Sequence, residues 1–355
     1  MGVLTAKKSD ASLIDSLYNG RKLLWGDLHN HAKTGGTSDG KRTLENHKGS
    51  LESLYMDFVA VLDHRQVRHM YLPEWDDGTF ICGTEPGTKI VDGYAIEEGK
   101  REMHYNMLFP SPAPLEELLS EFTEYEFEGG QEGHFRYPSF TRERFCQLVN
   151  TVFDKGGFYV HPHPKQYMRS NNPLDYFFRD GQGLEVFYHD MRSEYTKENY
   201  KLWCELLALG KKVYATAGED GHSFLKDNSL TAIYAEEKSS PSVVSHLREG
   251  DFVCGSVAMR ACVGKTRMGG SCDFEGKRYV IAVDDFHRSV KDPHHKYRID
   301  ILDDKGVVHT RRIKPDGHTV LAFEASPDVK FYRAEIFDVS ENLLISIANP
   351  IWNEK

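Results

Sequence analysis

The sequence predicts an α/β protein in two parts: a barrel of alternating helices and strands over residues 1–250, then a small antiparallel β-sandwich over 251–355. Three observations carry this expectation. Short β-prone runs recur along the first two-thirds of the chain, most of them closing on His, Asp or Glu. Stretches with helical spacing of apolar residues stand before most of those runs. Past Glu249 the pattern turns to short alternating strands separated by turn residues.

In chain order, helical spacing covers 11–18, 43–55, 114–121, 141–155 and 197–209. Thr141 is a good N-cap, although Arg144 rather than Glu stands at the capping-box position. Gly156 and Gly210 sit where helix C-termini favour glycine. All but the third helix precede an apolar run that ends in a potential functional residue, the alternation an α/β barrel requires. Segment 124–138 mixes Glu, Gly and aromatic residues without clear periodicity and reads as an inserted loop, either a lid or a decoration. After a helix over 242–249, strands are expected at 278–283, 297–302, 319–323 and 331–339. Asp303-Asp304-Lys305-Gly306 and Lys314-Pro315-Asp316-Gly317 supply the turns between them.

The chemistry concentrates at the ends of the early runs. Leu23-Leu24-Trp25 leads into Asp27-Leu28-His29-Asn30-His31, which puts two imidazoles at i and i+2. On a strand both would face one side and reach one ion. Ser38-Asp39-Gly40 follows, then Leu62-Asp63-His64, Gly83-Thr84-Glu85, His104-Tyr105-Asn106, His161-Pro162-His163-Pro164 and Glu219-Asp220-Gly221-His222. The C-terminal ends of strands are where α/β barrels place their chemistry. Mixed imidazole and carboxylate donors suit Zn, Mn or Fe, whereas soft thiolate sites would need cysteine.

This ordered set resembles the polymerase and histidinol phosphatase (PHP) superfamily of metal-dependent phosphoesterases, from Gly26 to His222. The resemblance implies a distorted (β/α)7 barrel holding two to three divalent ions. The first ion would take His29, His31, Glu85 and Asp220. The second would share Glu85 and add His104 and the histidine of the His-Pro motif. Asp39, His64 and His222 would hold the third. The His-Pro motif is doubled here. The family's usual spacing, counted from Gly156-Gly157, implies His163, with His161 beside it supporting a ligand or touching substrate; alternation cannot choose because both rings would lie on one strand face.

The implied reaction is hydrolysis of a phosphoester on a small anionic substrate, by a hydroxide that bridges two ions. Glu85 and Asp220 are its carboxylates. Arg65 stands where the family often has Asp or Asn; its guanidinium suits a phosphate at the rim, and a solvated surface role is the alternative. Asn106 is read as organising the ligands, Asp63 as doing the same or making a purely structural hydrogen bond, and Glu219 as facing outward; Lys165 and Arg169 read as a charged loop, with contact to the substrate as the alternative. The other histidines match no ligand position of the pattern; His189, which ends Leu184-Glu185-Val186-Phe187-Tyr188, is read with them, a place in the pocket being its alternative. Two other readings stand beside this one: a carboxylic ester or amide hydrolase with the same centre, and a metal-stabilised binding module without turnover. The complete ligand set argues against the module.

Length and composition set the remaining expectations. The 355 residues suffice for two domains with ample core. A net charge of −10 argues against a nucleic-acid partner. No apolar stretch reaches the about 20 residues of a membrane span, and the N-terminus has no signal-like apolar core. Six cysteines without a C-x-x-C pair read as thiols of a reducing compartment, hence a cytoplasmic protein. Self-association is left open.

Overall fold

Each of the six segments with helical apolar spacing folds as a helix in the computed structural model, which describes residues 4–92, 102–122 and 138–354. The loop expected over 124–138 lies outside the described residues, Pro138 apart. Among the described residues the architecture is mixed α/β, with six α-helices and four sheets.

The chain opens with α1 (Lys8–Leu17), β1 (Lys22–Asn30), α2 (Leu44–Leu54) and β2 (Phe58–Val61). Short strands follow: β3 (Phe80–Ile81), β4 (Gly83–Thr84), β5 (Gly87–Ile90), β6 (Glu102–His104) and β7 (Asn106–Leu108). Next come α3 (Pro112–Glu121), β8 (Ser139–Phe140), α4 (Arg142–Asp154), β9 (Phe158–His161), β10 (Gln182–Tyr188) and α5 (Glu194–Ala208). Strands β11 (Val213–Gly218) and β12 (Thr231–Ala235), helix α6 (Ser240–Glu249) and strand β13 (Phe252–Gly255) complete the first two-thirds. The remainder is all strand: β14 (Val257–Val263), β15 (Thr266–Arg267), β16 (Ser271–Cys272), β17 (Arg278–Phe286), β18 (Tyr297–Asp303), β19 (Gly306–Ile313), β20 (Thr319–Glu324), β21 (Phe331–Asp338) and β22 (Leu343–Asn353).

Local chemistry explains the helix ends. Thr141 caps α4 by accepting the Arg144 backbone N–H at 3.1 Å, and Gly156 follows it with φ of 83°, a left-handed conformation that glycine adopts without strain. The apolar stripe of α4 (Phe145, Leu148, Val149, Val152) is fully buried. From α5, Trp203 is fully buried and its indole N–H donates to the Val213 carbonyl at 2.9 Å, tying the helix to the start of β11.

Two sheets position the early motifs. One runs in the order β11-β10-β9-β7-β4, with β9, β10 and β11 parallel. In the other, β1, β2 and β3 are parallel neighbours. Main-chain contacts draw the two together where the strands end: the amide of His31 donates to the Gly221 carbonyl at 3.0 Å, and that of Glu85 to the Leu62 carbonyl at 3.0 Å.

The second sheet also continues the other way. Strand β1 pairs antiparallel with β12, β12 with β13, β13 with β22 and β22 with β21, followed by β18 and β19. The hydrogen-bonded ladder therefore passes through residue 250 without a break. A four-stranded sheet, β15-β14-β17-β20, meets it through aromatic contacts. Tyr332 of β21 lies 5.4 Å from Tyr279 of β17 and 5.1 Å from Phe323 of β20, ring centre to ring centre. No helix of the described residues is long and apolar enough to cross a membrane. All six cysteines are free thiols.

Candidate metal centre

Nine side chains selected from the sequence converge at the C-terminal ends of the strands. His29 lies on β1, with His31 just beyond it. His64 follows β2 and Glu85 follows β4. His104 ends β6, His163 follows β9, and Asp220 and His222 follow β11; Asp39 comes from the loop before α2. Because β1 continues to Asn30, His29 and His31 present their Nε2 atoms to one carboxylate oxygen, at 3.3 and 3.1 Å from Glu85 Oε2.

Glu85 is the hub, and it is fully buried. Its Oε1 lies 3.1 Å from His104 Nδ1 and 3.0 Å from His163 Nε2. Its Oε2 lies 3.3 Å from His64 Nδ1. Asp220 Oδ1 closes the inner group, at 3.1 Å from His31 Nε2 and 3.5 Å from His29 Nε2. On the outer side Asp39 meets His222 Nε2 at 3.1 Å and His64 Nε2 at 3.6 Å. The donors fall into overlapping sets of potential ligands: His29, His31, Glu85 and Asp220; His31, Asp39, His64 and His222; His64, Glu85 and His104.

These spacings fit a divalent ion. Ligands bonded at about 2.0–2.2 Å around one ion stand roughly 3.0–3.5 Å from one another. His29 Nε2 and Glu85 Oε2 are buried without a hydrogen-bond partner although they face each other, as expected of atoms aimed at a common centre. The electrostatics agree. Burial would raise the Glu85 carboxyl, but His29, His104 and His163 outweigh it and hold the group well below the usual carboxylate range. Asp220 is lowered against its burial by His29 and His31. Despite its own burial His31 is raised to about 10 by Asp220 and Glu85, and His29 is raised well above its ordinary value by Glu85 and Glu185. Protons held so firmly mark lone pairs for which a divalent cation competes.

Several surrounding residues differ from expectation. His161 and His163 do not share a face. The strand ends at His161, and His163 adopts a left-handed φ of 27°, so alternation no longer applies between them. His163 turns to Glu85, while His161 packs 5.4 Å from the Tyr176 ring and 6.0 Å from Phe178. Burial lowers the His161 imidazole to about 3, aided by His163 and Lys165.

Glu219 faces inward rather than outward. It is 1% exposed, accepts a hydrogen bond from Lys226 at 2.5 Å, and burial pushes its carboxyl up to about 7. Asp63 organises main chain: it accepts from the Ala32 amide at 2.8 Å and from the Thr34 hydroxyl. His189 is exposed, with Nδ1 at 2.5 Å from the Glu219 carbonyl. Lys165 donates to the Ser170 carbonyl at 2.9 Å and, with Arg169, lines a neighbouring cavity. Asn106 is buried in β7.

Sequence reasoning missed two groups. Glu185 contacts His29 Nδ1 at 3.0 Å, and the Tyr188 hydroxyl lies 3.0 Å from Asp220 Oδ2. The signal for Glu185 was present, because a carboxylate in the middle of an apolar run is seldom buried without a partner. Over the centre lies a cavity of about 150 Å³ lined by Asp39, His64, Arg65, His104, Tyr167 and His222, among others.

No family model and no curated protein matches the sequence. Similar solved structures include a two-domain protein from Bacteroides vulgatus containing a predicted PHP-like metal-dependent phosphoesterase. It shares 13% identity over 92% of this chain and 95% of its own, with a TM-score of 0.42. An amidohydrolase from Chromobacterium violaceum with bound sulfate shares 16% identity over 56% of this chain and 87% of its own, TM-score 0.37. Endonuclease Q, in complex with a 27-mer duplex carrying an abasic lesion at the active site, shares 14% over 64% of this chain and 57% of its own, TM-score 0.44.

The expectation that nucleic acid is excluded as a partner is withdrawn; one of these similar structures, Endonuclease Q, holds a DNA duplex. Net charge averages the whole surface and does not report the sign of a local patch. The chain is thus similar to PHP-like metal-dependent phosphoesterases, the group its ordered motifs resemble.

Proposed function

We propose that the protein is a metal-dependent phosphoesterase whose centre is organised by Glu85. The observation that carries this reading is the convergence of six histidines and three carboxylates, with both Glu85 oxygens shared among imidazoles from different strands. In this reading His29, His31, Glu85 and Asp220 hold one divalent ion, Glu85, His104 and His163 a second, and Asp39, His64 and His222 a third. Zn, Mn and Fe suit these donors. Bound there, such ions lower the pKa of a shared water toward neutrality and offset the negative charge of a phosphoryl group.

The chain's own residues then divide the work. Glu85 would serve both of the first two ions, since its Oε2 faces His29 and His31 and its Oε1 faces His104 and His163. Asp220 completes the first and is steadied by Tyr188. Arg65, on the cavity wall, binds phosphoryl oxygens through its forked guanidinium. The cavity of about 150 Å³ admits a phosphoryl group with a short leaving group. What extends beyond it, metabolite or nucleic acid, is decided by assay.

Residues 1–250 are read as the distorted (β/α)7 barrel that carries the centre. Residues 251–355 are read as a β-sandwich whose ladder runs on into β1, a reading supported by the aromatic contacts between its sheets.

The test is elemental analysis of protein purified without chelator, followed by assays on p-nitrophenyl phosphate, bis(p-nitrophenyl) phosphate and p-nitrophenyl acetate. Two to three ions per chain and release from a phosphoester are expected. Glu85→Gln should reduce that rate by more than the roughly hundredfold typical of losing a ligand's supporting partner, with the fold intact. Unchanged turnover in E85Q removes the hub assignment. Turnover of the carboxylic ester alone moves the reaction class to esters and amides.

A further inference from the structure

Glu185 lies in β10, a strand whose side chains are all buried. It is 1% exposed, and both of its oxygens are engaged. Oε1 lies 3.0 Å from His29 Nδ1, and Oε2 accepts the backbone N–H of His163 at 2.7 Å. One carboxylate thus touches the ring of one proposed ligand and the main chain of another. Those two rings stack with centres 5.7 Å apart and planes 27° apart. The adjoining strand leaves room for this group only because residue 218 is glycine. A Cβ there would lie 2.1 Å from Glu185 Oε1 and 2.5 Å from His29 Cβ.

We propose, on the reading that His29 and His163 hold metal ions, that Glu185 is the positioning residue that sets both at once. By accepting the His29 Nδ1–H it leaves the lone pair on Nε2, the atom that faces Glu85 and Asp220. By holding the His163 amide it fixes the turn that brings His163 Nε2 to Glu85 Oε1. A single side chain therefore couples two metal positions without touching either ion.

Hydrogen-bond chemistry makes the proposal sharp for glutamine. A carboxylate accepts at both oxygens, whereas an amide accepts at one end and donates at the other. If the Gln carbonyl faces His29, its NH2 opposes the His163 N–H, donor against donor. If the NH2 faces His29, Nδ1 must accept, and the proton moves to Nε2, where a metal would bind. Neither orientation preserves both positions.

The test is titration of chelator-stripped protein with Co²⁺, read by visible absorption, and with Zn²⁺, read by competition with a chelating dye. Glu185→Gln is expected to lose 10–100-fold in affinity for at least one ion and to change the Co²⁺ bands. Its far-ultraviolet circular dichroism should stay that of the parent. Glu185→Asp keeps the charge but loses one methylene of reach, so it retains one contact and falls between the two; it carries the test if E185Q does not fold. Parent-like affinities and Co²⁺ bands in a folded variant overturn the role of Glu185 while leaving the metal centre standing. A parent protein that takes up no ion overturns the metal reading itself, and this inference with it.

Discussion

His69 is fully buried, with Nε2 donating to the Val61 carbonyl at 3.0 Å and Nδ1 without a hydrogen-bond partner. A second proton would add a charge to a fully buried ring, and burial lowers this imidazole below its ordinary 6.5 although Asp63 and the Val61 and Gly83 main chain favour the charged form. The sign follows from linkage. Below about 6.5 the unfolded chain binds a proton that the folded one refuses, so stability falls as pH drops, by at most about 1.4 kcal/mol per pH unit for this residue. His69→Gln keeps a donor for Val61 and removes the titration. Urea unfolding between pH 7.5 and 5 should therefore show a shallower acid limb in H69Q than in the parent; equal slopes would refute the assignment. At the same scale, most of the centre was legible because every motif residue but Asp39 lies at or just past the end of a strand, and a strand end can be read from an apolar run. The facing of His163 was not, since it depends on a left-handed turn that alternation does not describe. Glu219 was misjudged because its burial comes from the surrounding chain and not from its neighbours in sequence.

Among the elements, helices were the most legible, since a 3.6-residue period and a cap are local properties. Short strands such as β4, β6 and β7 were not, at two or three residues each. They carry too few positions to show alternation and exist only because partners pair with them. Helix α4 allows a clean test of a local device. Its Thr141 hydroxyl accepts the Arg144 amide, so Thr141→Ala should lower stability by about 1 kcal/mol through loss of that cap. Helix α4 reaches toward the centre through Phe145, which packs edge-on against Tyr105 and Tyr159, whereas the Thr141 hydroxyl bonds the start of the helix itself; metal content and turnover should therefore match the parent. A change in metal content with no change in stability would show that the helix start acts on the site and not on the fold.

Across the whole molecule, the register of the large sheet was beyond sequence reasoning, because pairing across residue 250 is set by long-range contacts. Its consequence is mechanical. Strand β13 lies between β12 and β22, with Val253 opposite both Ala232 and Ala348, and β12 in turn supports the strand bearing His29. Asn349 reinforces the join: its side chain accepts the Ala215 amide of β11 at 2.8 Å and donates to the Phe252 carbonyl at 3.2 Å. A chain ended at residue 250 would lose β13 and β22 together, leaving the Ala215 amide without that acceptor and the edge of β12 unpaired. Such a piece is expected to lack a sharp near-ultraviolet unfolding transition and to retain no stoichiometric metal. The full chain should melt in one step, coincident by near- and far-ultraviolet circular dichroism. If residues 1–250 alone melt cooperatively with their metal bound, β12 suffices as an edge and the C-terminal strands are an appendage. If they do not, the centre depends on a ladder completed by β22.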